Sequence, residues 1–189
     1  MKNVPFRYKM LAMIEIKQLD ADKIARISEI DRSEHVTKGY KFQNGRLVSK
    51  TVDWNVPRWP MDGSDDFSVR GMLKFLTPIL EAGGILLGAL DGDDLAGLAV
   101  LRPHLEEQMA QLVALFVSKD YRRKGIARRL TEEAIRLARD YGDRRLYVSA
   151  TPSESAIGFY LSQGFKLAEK VHPMLYELEP EDIHLIKDL

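Results

Sequence analysis

Apolar positions recur along this chain in two rhythms, and each change of rhythm marks a new element. Met13 to Ile16 predicts a strand, and Ile24, Ile27 and Ile30 behind the potential cap Asp20 predict a helix. Two strand-like runs in VTKGYKFQNGRLVSKTVDW flank Asn44-Gly45, a dipeptide suited to the positive φ angles of a tight hairpin turn. NVPRWPMDGSDD then reads as loop, and a helix over about residues 66–82 follows, kinked by Pro78 and closed by Gly83-Gly84. In the second half, ILLGAL and LAGLAVLR around the turn DGDD predict an antiparallel pair, and AQLVALFV a third, longer strand. Ile126, Leu130, Ala134, Leu137 and Tyr141 draw one stripe down an amphipathic helix that Gly142 stops. RRLYVSA predicts a strand. TPSESAIGFYLSQGF predicts a helix with Thr151 as cap, Pro152 at its first position, Glu154 completing a capping box and Gly164 at its end. FKLAE and MLYELE read as further strands, and PEDIHLIKDL as a short acidic helix. With no internal repeat or linker, the economical organisation is one α/β domain over residues 13–189 preceded by an N-terminal extension, residues 1–12.

Composition narrows the function classes. The 189 residues suffice for one domain with a real core. Lys+Arg and Asp+Glu are both 28, so no global field draws the protein to nucleic acid or an anionic membrane, and any basic patch is local. The absence of cysteine removes disulfides, thiolate zinc sites and cysteine nucleophiles, and suits a reducing compartment; the cytoplasm is the expected location. His35, His104, His172 and His184 lack metal-ligand spacing, so no metal is expected. The basic N-terminus is broken by Pro5, Arg7 and Lys9, unlike a signal peptide, and no stretch approaches the apolar length of a membrane span.

One local patch stands out. LFVSKDYRRKGIARRL sets Arg122, Arg123, Lys124, Arg128 and Arg129 around Gly125 where a strand gives way to a helix. A helix N-terminus offers unpaired amides and the positive end of its dipole, so a phosphate there satisfies donors that otherwise need water. Glycine at 125 lets phosphate oxygens approach the backbone and tolerates the φ angles of a nest of amides, and Ala127 keeps the first turn slim. Arg122, Arg123, Lys124 and Arg128 add charge that can reach phosphates. The competing reading is a solvated basic face, helped by i, i+4 pairs such as Arg129 with Glu133 and Arg136 with Asp140; for Arg129 that plainer reading is preferred. A dinucleotide or P-loop unit is excluded because Gly-x-Gly-x-x-Gly and the Walker lysine pattern are absent.

YRRKGIA resembles the Arg/Gln-x-x-Gly-x-Gly/Ala signature of the GNAT superfamily of N-acetyltransferases at Arg122, Gly125 and Ala127, in the same strand-to-helix setting. SESAIGFYLSQGF resembles that family's second segment, Asn-x-x-Ala-x-x-x-Tyr-x-x-x-Gly-Phe, at Ala156, Tyr160, Gly164 and Phe165, with Ser153 replacing the usual Asn. The order of elements from Met13 to Glu179 follows the family as well. The resemblance implies a single-domain fold with a mixed, mostly antiparallel sheet of about six to seven strands flanked by helices and a splayed central strand pair. It implies acetyl-CoA as co-substrate, its pyrophosphate on the amides of residues 123 to 128, Ile126 included, and its pantetheine arm paired with Leu115, Phe116 and Val117. Ser153, Ala156 and Phe159 would border the cofactor, and Tyr160 would protonate the departing thiolate. Residues 156 and 160 share a helix face, which suits that role; a half-buried structural tyrosine is the alternative.

The predicted reaction is direct attack of a primary amine, of a small molecule or peptide, on the thioester within a ternary complex. A non-catalytic acyl-CoA-binding protein on the same fold is the rival. No carboxylate lies in AQLVALFV, so the base that deprotonates the amine is open among Glu29, Asp31, Glu34, His104, Glu106 and Glu107, with Gln111 able only to orient a water. Tyr40, Phe42, Trp54 and Trp59, in the segment between the first two predicted helices, can wall an acceptor pocket, build a homodimer surface or form a satellite core.

Overall fold

The computed structural model describes residues 14–63 and 68–189; the predicted N-terminal extension and the start of the helix expected near Asp66 lie outside them. In chain order the strands are β1 (Glu15–Leu19), β2 (Glu34–Gln43), β3 (Arg46–Val56), β4 (Ile85–Asp91), β5 (Asp94–Glu106), β6 (Met109–Val117), β7 (Arg145–Ala150), β8 (Lys166–Leu167) and β9 (Ile183–Asp188). The α-helices are α1 (Val69–Glu81), α2 (Ile126–Asp140), α3 (Glu154–Ser162) and α4 (Pro173–Leu178), and a 3₁₀ helix spans Ala21–Glu29. Seven strands form one mixed sheet in the order β1-β4-β5-β6-β7-β9-β8, and β2 with β3 makes a separate hairpin. Among the described residues, the sheet's one parallel pairing is β6 with β7.

β4 and β5 are apolar almost without interruption because both faces of the sheet are covered. On one face Ile126, Leu130, Ala134 and Ala138 of α2 pack over Leu87, Ala99 and Leu112; on the other Leu76 and Leu80 of α1 join Ile24, Ile27 and Leu98. Each of the leucine and isoleucine side chains contributes about 1.5–3 kcal/mol by leaving water. The stripe down α2 departs from expectation at its end: small Ala138 is buried, whereas Tyr141 is 49 % exposed. The hairpin turns as predicted, with Asn44 (φ 52°) and Gly45 (φ 76°) both left-handed.

The C-terminal segment corrects the sequence reading. MLYELE is not a strand: Pro173 opens α4, whose buried anchor is Leu175. IHLIKD is not a helix but β9, inserted between β7 and β8, which explains its consecutive buried residues Ile183, His184 and Leu185. The short length of both elements and their charged neighbours hid the period. The cap of α3 also moves: Ser153 Oγ, not Thr151, accepts the Ala156 amide at 3.2 Å. The Pro152 carbonyl instead accepts from the Tyr40 amide at 2.8 Å, and Gly39 bridges Ser153, which straps β2 across the start of α3.

Two features of β6 shape the functional region. Its parallel pairing with β7 covers Met109, Ala110 and Gln111 and then stops, although β6 stays paired to β5 as far as Val117 and β7 to β9 as far as Ala150. The strands therefore splay. A bulge at Val113, between the pairs Val100↔Ala114 and Leu101↔Leu112, bends β6 at the point of divergence.

Candidate active site

Past the splay, Leu115, Phe116 and Val117 remain tied to Ala99, Leu98 and Gly97 on one side and have no strand on the other, so alternate backbone groups face the opening. Leu115 and Val117 lean on the core beneath α2, while the Phe116 ring meets Trp59 edge-on at 4.7 Å. Trp59 is thus satellite core, covered further by the Arg32 guanidinium 5.0 Å from its ring centroid.

The chain then turns through a short 3₁₀ segment, Lys119–Tyr121, into α2. Arg123 (φ 62°) and Gly125 (φ 78°) are both left-handed, the alternation that turns successive amides toward one point. The amides of residues 123–128, those of Ile126 and Ala127 among them, donate to no acceptor among the described residues; the first bond of the helix runs from the Arg129 amide to the Gly125 carbonyl at 3.1 Å. A Cβ at position 125 would meet nothing within 4 Å. The glycine is required by its backbone angle and by access to the amides, not by packing.

The five cations separate. Arg122 does not act as mobile charge: its guanidinium donates to the Val117 carbonyl (3.1 Å) and the Ser33 carbonyl (3.1 Å), pinning the end of β6 to the segment before β2. Lys124 donates to the Asp120 carbonyl (2.9 Å) and covers the Tyr121 ring; Arg128 pairs with Glu132 at 2.8 Å. Arg129 reaches the Ile14 carbonyl (2.7 Å), not Glu133, which pairs with Arg136. Arg123 borders a cleft of about 610 Å³ between residues 34–38 of β2 and the outer face of α3, where Ser155, Gly158, Phe159 and Ser162 line it.

On α3, Ser153 is buried and engaged as cap, and Ala156 is half-buried. Tyr160, 7 % exposed, lies edge-on to Phe159 (5.2 Å) and Phe165 (5.3 Å). Burial, reinforced by the nearby Asp182 carboxylate, pushes its pKa well above the usual phenol range. The hydroxyl stays protonated at neutral pH and has no hydrogen-bond partner among the described residues.

A second cleft, about 250 Å³, lies on the other side of the β2 strap, between Tyr40 and Phe42 of β2, Tyr176 of α4 and the start of β9. Two of its polar residues escaped sequence reasoning. Asp182 has its pKa raised to about 7, first by burial and then by the Glu179 carboxylate beside it. His184, 7 % exposed, holds Nδ1 at 3.3 Å from Ser149 Oγ, leaves Nε2 buried without a partner, and is pushed down in pKa by burial. The carboxylates named from sequence are occupied elsewhere. Asp31 is held down at about 2 by hydrogen bonds from Ser33 and by Arg58, Glu29 binds Arg26 and the Leu95 amide, and Glu106 faces His172. Glu34 lines the first cleft, His104 bonds Asp143, and Gln111 is buried in the paired part of β6.

A seven-stranded mixed sheet with a splayed central pair and an amide-rich turn at the mouth of the splay defines an acyl-CoA-type transferase architecture. Residues 48–165 match the acetyltransferase (GNAT) family, and the chain belongs to that family. Human N-acetyltransferase 8 is 38 % identical over 82 residues, 43 % of this chain and 33 % of the relative, so the match spans about a third of that protein's length. The fold is shared with nourseothricin acetyltransferase, at 20 % identity and TM-score 0.65 over 92 % of this chain and 95 % of that one. It is shared as well with the PaiA N-acetyltransferase of Thermoplasma acidophilum, solved in complex with coenzyme A, at 17 % identity and TM-score 0.60 over 93 % and 99 % of the two chains.

Proposed function

We propose that this chain moves the acetyl group of acetyl-CoA to a primary amine of a small molecule or peptide by direct attack within a ternary complex. The observation that carries this reading is the coincidence at one place of a free backbone edge at Leu115–Val117 and the unpaired amides of residues 123–128. The edge suits the amide-bearing pantetheine arm, and the amides, with Arg123, suit the diphosphate. Phe159 and Ala156 then border the cofactor from α3 while Ser153 keeps the helix start in place. Tyr160 supplies the proton that the departing thiolate takes; the burial that raises the phenol's pKa raises a neighbouring thiolate's affinity for that proton too. With no cysteine in the chain, no acyl-cysteine intermediate forms. No described helix is long and apolar enough to cross a membrane, and the cysteine-free composition favours work in the cytoplasm. The outer part of the hairpin, with Phe42 and Val48 exposed, is the surface a homodimer would use.

The test is calorimetric titration with acetyl-CoA alongside thiol release across a panel of primary amines. Saturable acetyl-CoA binding with turnover on at least one amine is the expected result. Binding without turnover on any amine would favour a non-catalytic acyl-CoA-binding role, and no binding would end both readings.

A further inference from the structure

Asp182 occupies a position that its sequence setting conceals. Ile183, the first residue of β9, pairs with Ala150, the last residue of β7, so Asp182 stands beside the open end of β7 where the splay is widest. Its charge is felt by Tyr160, and it borders the 250 Å³ cleft. Its other walls are aromatic at Tyr40, Phe42 and Tyr176, apolar at Leu167 and Val171, and charged at Lys41 and Glu181. His184, more than nine-tenths buried, lines the same cleft with Nε2 unpartnered, a polar group for which the protein itself provides no mate. An aromatic cleft with two carboxylates, Asp182 and Glu181, against one lysine, and with one unsatisfied imidazole nitrogen, matches an organic cation that carries an apolar body.

We propose that Asp182 is the acceptor-side base of this protein and that the cleft it borders takes a primary amine bearing an aromatic or bulky aliphatic substituent, with His184 supplying a further hydrogen bond. This rests on the acyl-transfer reading above. The amine arrives as its ammonium ion, and the Asp182 carboxylate binds it and takes one proton. The neutral nitrogen attacks the thioester carbonyl; the C–N bond forms and the C–S bond breaks. The CoA sulfur takes the Tyr160 proton, the surplus proton on the amide nitrogen returns to the Tyr160 oxygen, and Asp182 releases its proton to solvent. Raised to about 7, Asp182 is a better base toward an ammonium than an aspartate in water. The charged and titratable groups around it are Tyr160 on α3, Glu179 and Glu181 in the preceding loop, His184 on β9 and Lys41 on β2. Acidic groups outnumber the one lysine.

The full chain is titrated by calorimetry, without acetyl-CoA, with 2-phenylethylamine and with its uncharged counterpart 2-phenylethanol. Asp182→Asn is expected to lose at least about tenfold in affinity for the amine and nothing for the alcohol. With acetyl-CoA present, kcat/KM for 2-phenylethylamine should rise with pH through about 7 in the unaltered chain. Asp182→Asn flattens that rise, and Glu179→Gln, which removes a neighbouring negative charge, moves it to lower pH. Equal amine affinity in Asp182→Asn overturns the proposal, and so does an unmoved pH limb in Glu179→Gln, a variant that keeps the test open if Asp182→Asn folds poorly. Amine binding through Asp182 in a chain that ignores acetyl-CoA would preserve the site and remove the acyl-transfer reading. Turnover of the amine with Asp182→Asn equal to the unaltered chain would do the reverse.

Discussion

The turn at residues 118–128 and the loop at residues 168–182 flank the same splay, yet they are made of different material. The first is a backbone device: two left-handed residues, Arg123 and Gly125, aim a set of amides, and most side chains around them are occupied with neighbours. The second is a side-chain device, assembled from Tyr40 and Phe42 on one strand, Tyr176 on a short helix and Asp182 and His184 at the start of another strand. On the proposed reading, the backbone device recognises what every acyl donor of a class has in common. On the same reading, the side-chain device recognises what distinguishes one acceptor from another, and it can change without disturbing the first.

Substitutions can separate the two sides. The largest effect is expected where they meet: Tyr160→Phe keeps the ring packing against Phe159 and Phe165 but removes the proposed proton donor, and kcat in a thiol-release assay should fall about 1,000-fold with acetyl-CoA affinity nearly unchanged. A fall below tenfold would mean that water or another group protonates the thiolate. Next is Gly125→Glu, which places a carboxylate and a strained φ of 78° among the amides; calorimetry should show acetyl-CoA affinity lower by about 100-fold while amine binding at the second cleft persists. Loss of both would erase the distinction drawn here. Smaller still is Ser153→Ala, which removes the cap of α3 that both clefts share through the β2 strap, at a cost of about 1 kcal/mol in denaturant unfolding.

Acidity offers the gentlest probe, and it acts on the two sides with opposite sign. Asp31 anchors the donor side, where its carbonyl accepts from Lys119 and its amide donates to Ser118. Its folded pKa, about 2, lies below the ordinary carboxylate value, so its stabilisation is present at neutral pH and is lost as pH falls through the carboxylate range to about 2. Asp182 has a raised folded pKa, so its contribution is full below the ordinary carboxylate range and is lost as pH rises through about 7. Thermal unfolding across pH should therefore show the acid limb flattened by Asp31→Asn and the neutral limb flattened by Asp182→Asn.

The turn into α2 is legible in the sequence because backbone geometry leaves local marks. Gly125 sits between an unbroken apolar strand and a helix with a clear stripe, and each of these was read at the correct place. Identical residue types did not carry the same meaning, however: nothing local distinguishes Arg122, buried in carbonyl contacts, from Arg123, which borders the cleft. The second cleft is illegible for the same physical reason. Its groups converge from residues 40, 176, 182 and 184, and the last two lie in a stretch read as a short acidic helix, where sheet pairing instead makes a strand from Ile183. The pairing of β9 with β7 is what sets Asp182 beside the splay.

The extra residue at Val113 has a further consequence. Along β6, Leu112 faces the layer under α2, Val113 and Ala114 both face the layer of α1, and thereafter Leu115 and Val117 return to the first layer while Phe116 meets Trp59. The insertion acts as a phase shifter: counted by position from Leu112, plain alternation would turn residue 116 toward α2, and the doubled step at Val113 and Ala114 turns it toward Trp59 instead. Excising Val113 would leave Ala114, Leu115, Phe116 and Val117 on the faces they already occupy, in plain alternation after Leu112, and would straighten β6 at the point where it parts from β7, narrowing the splay.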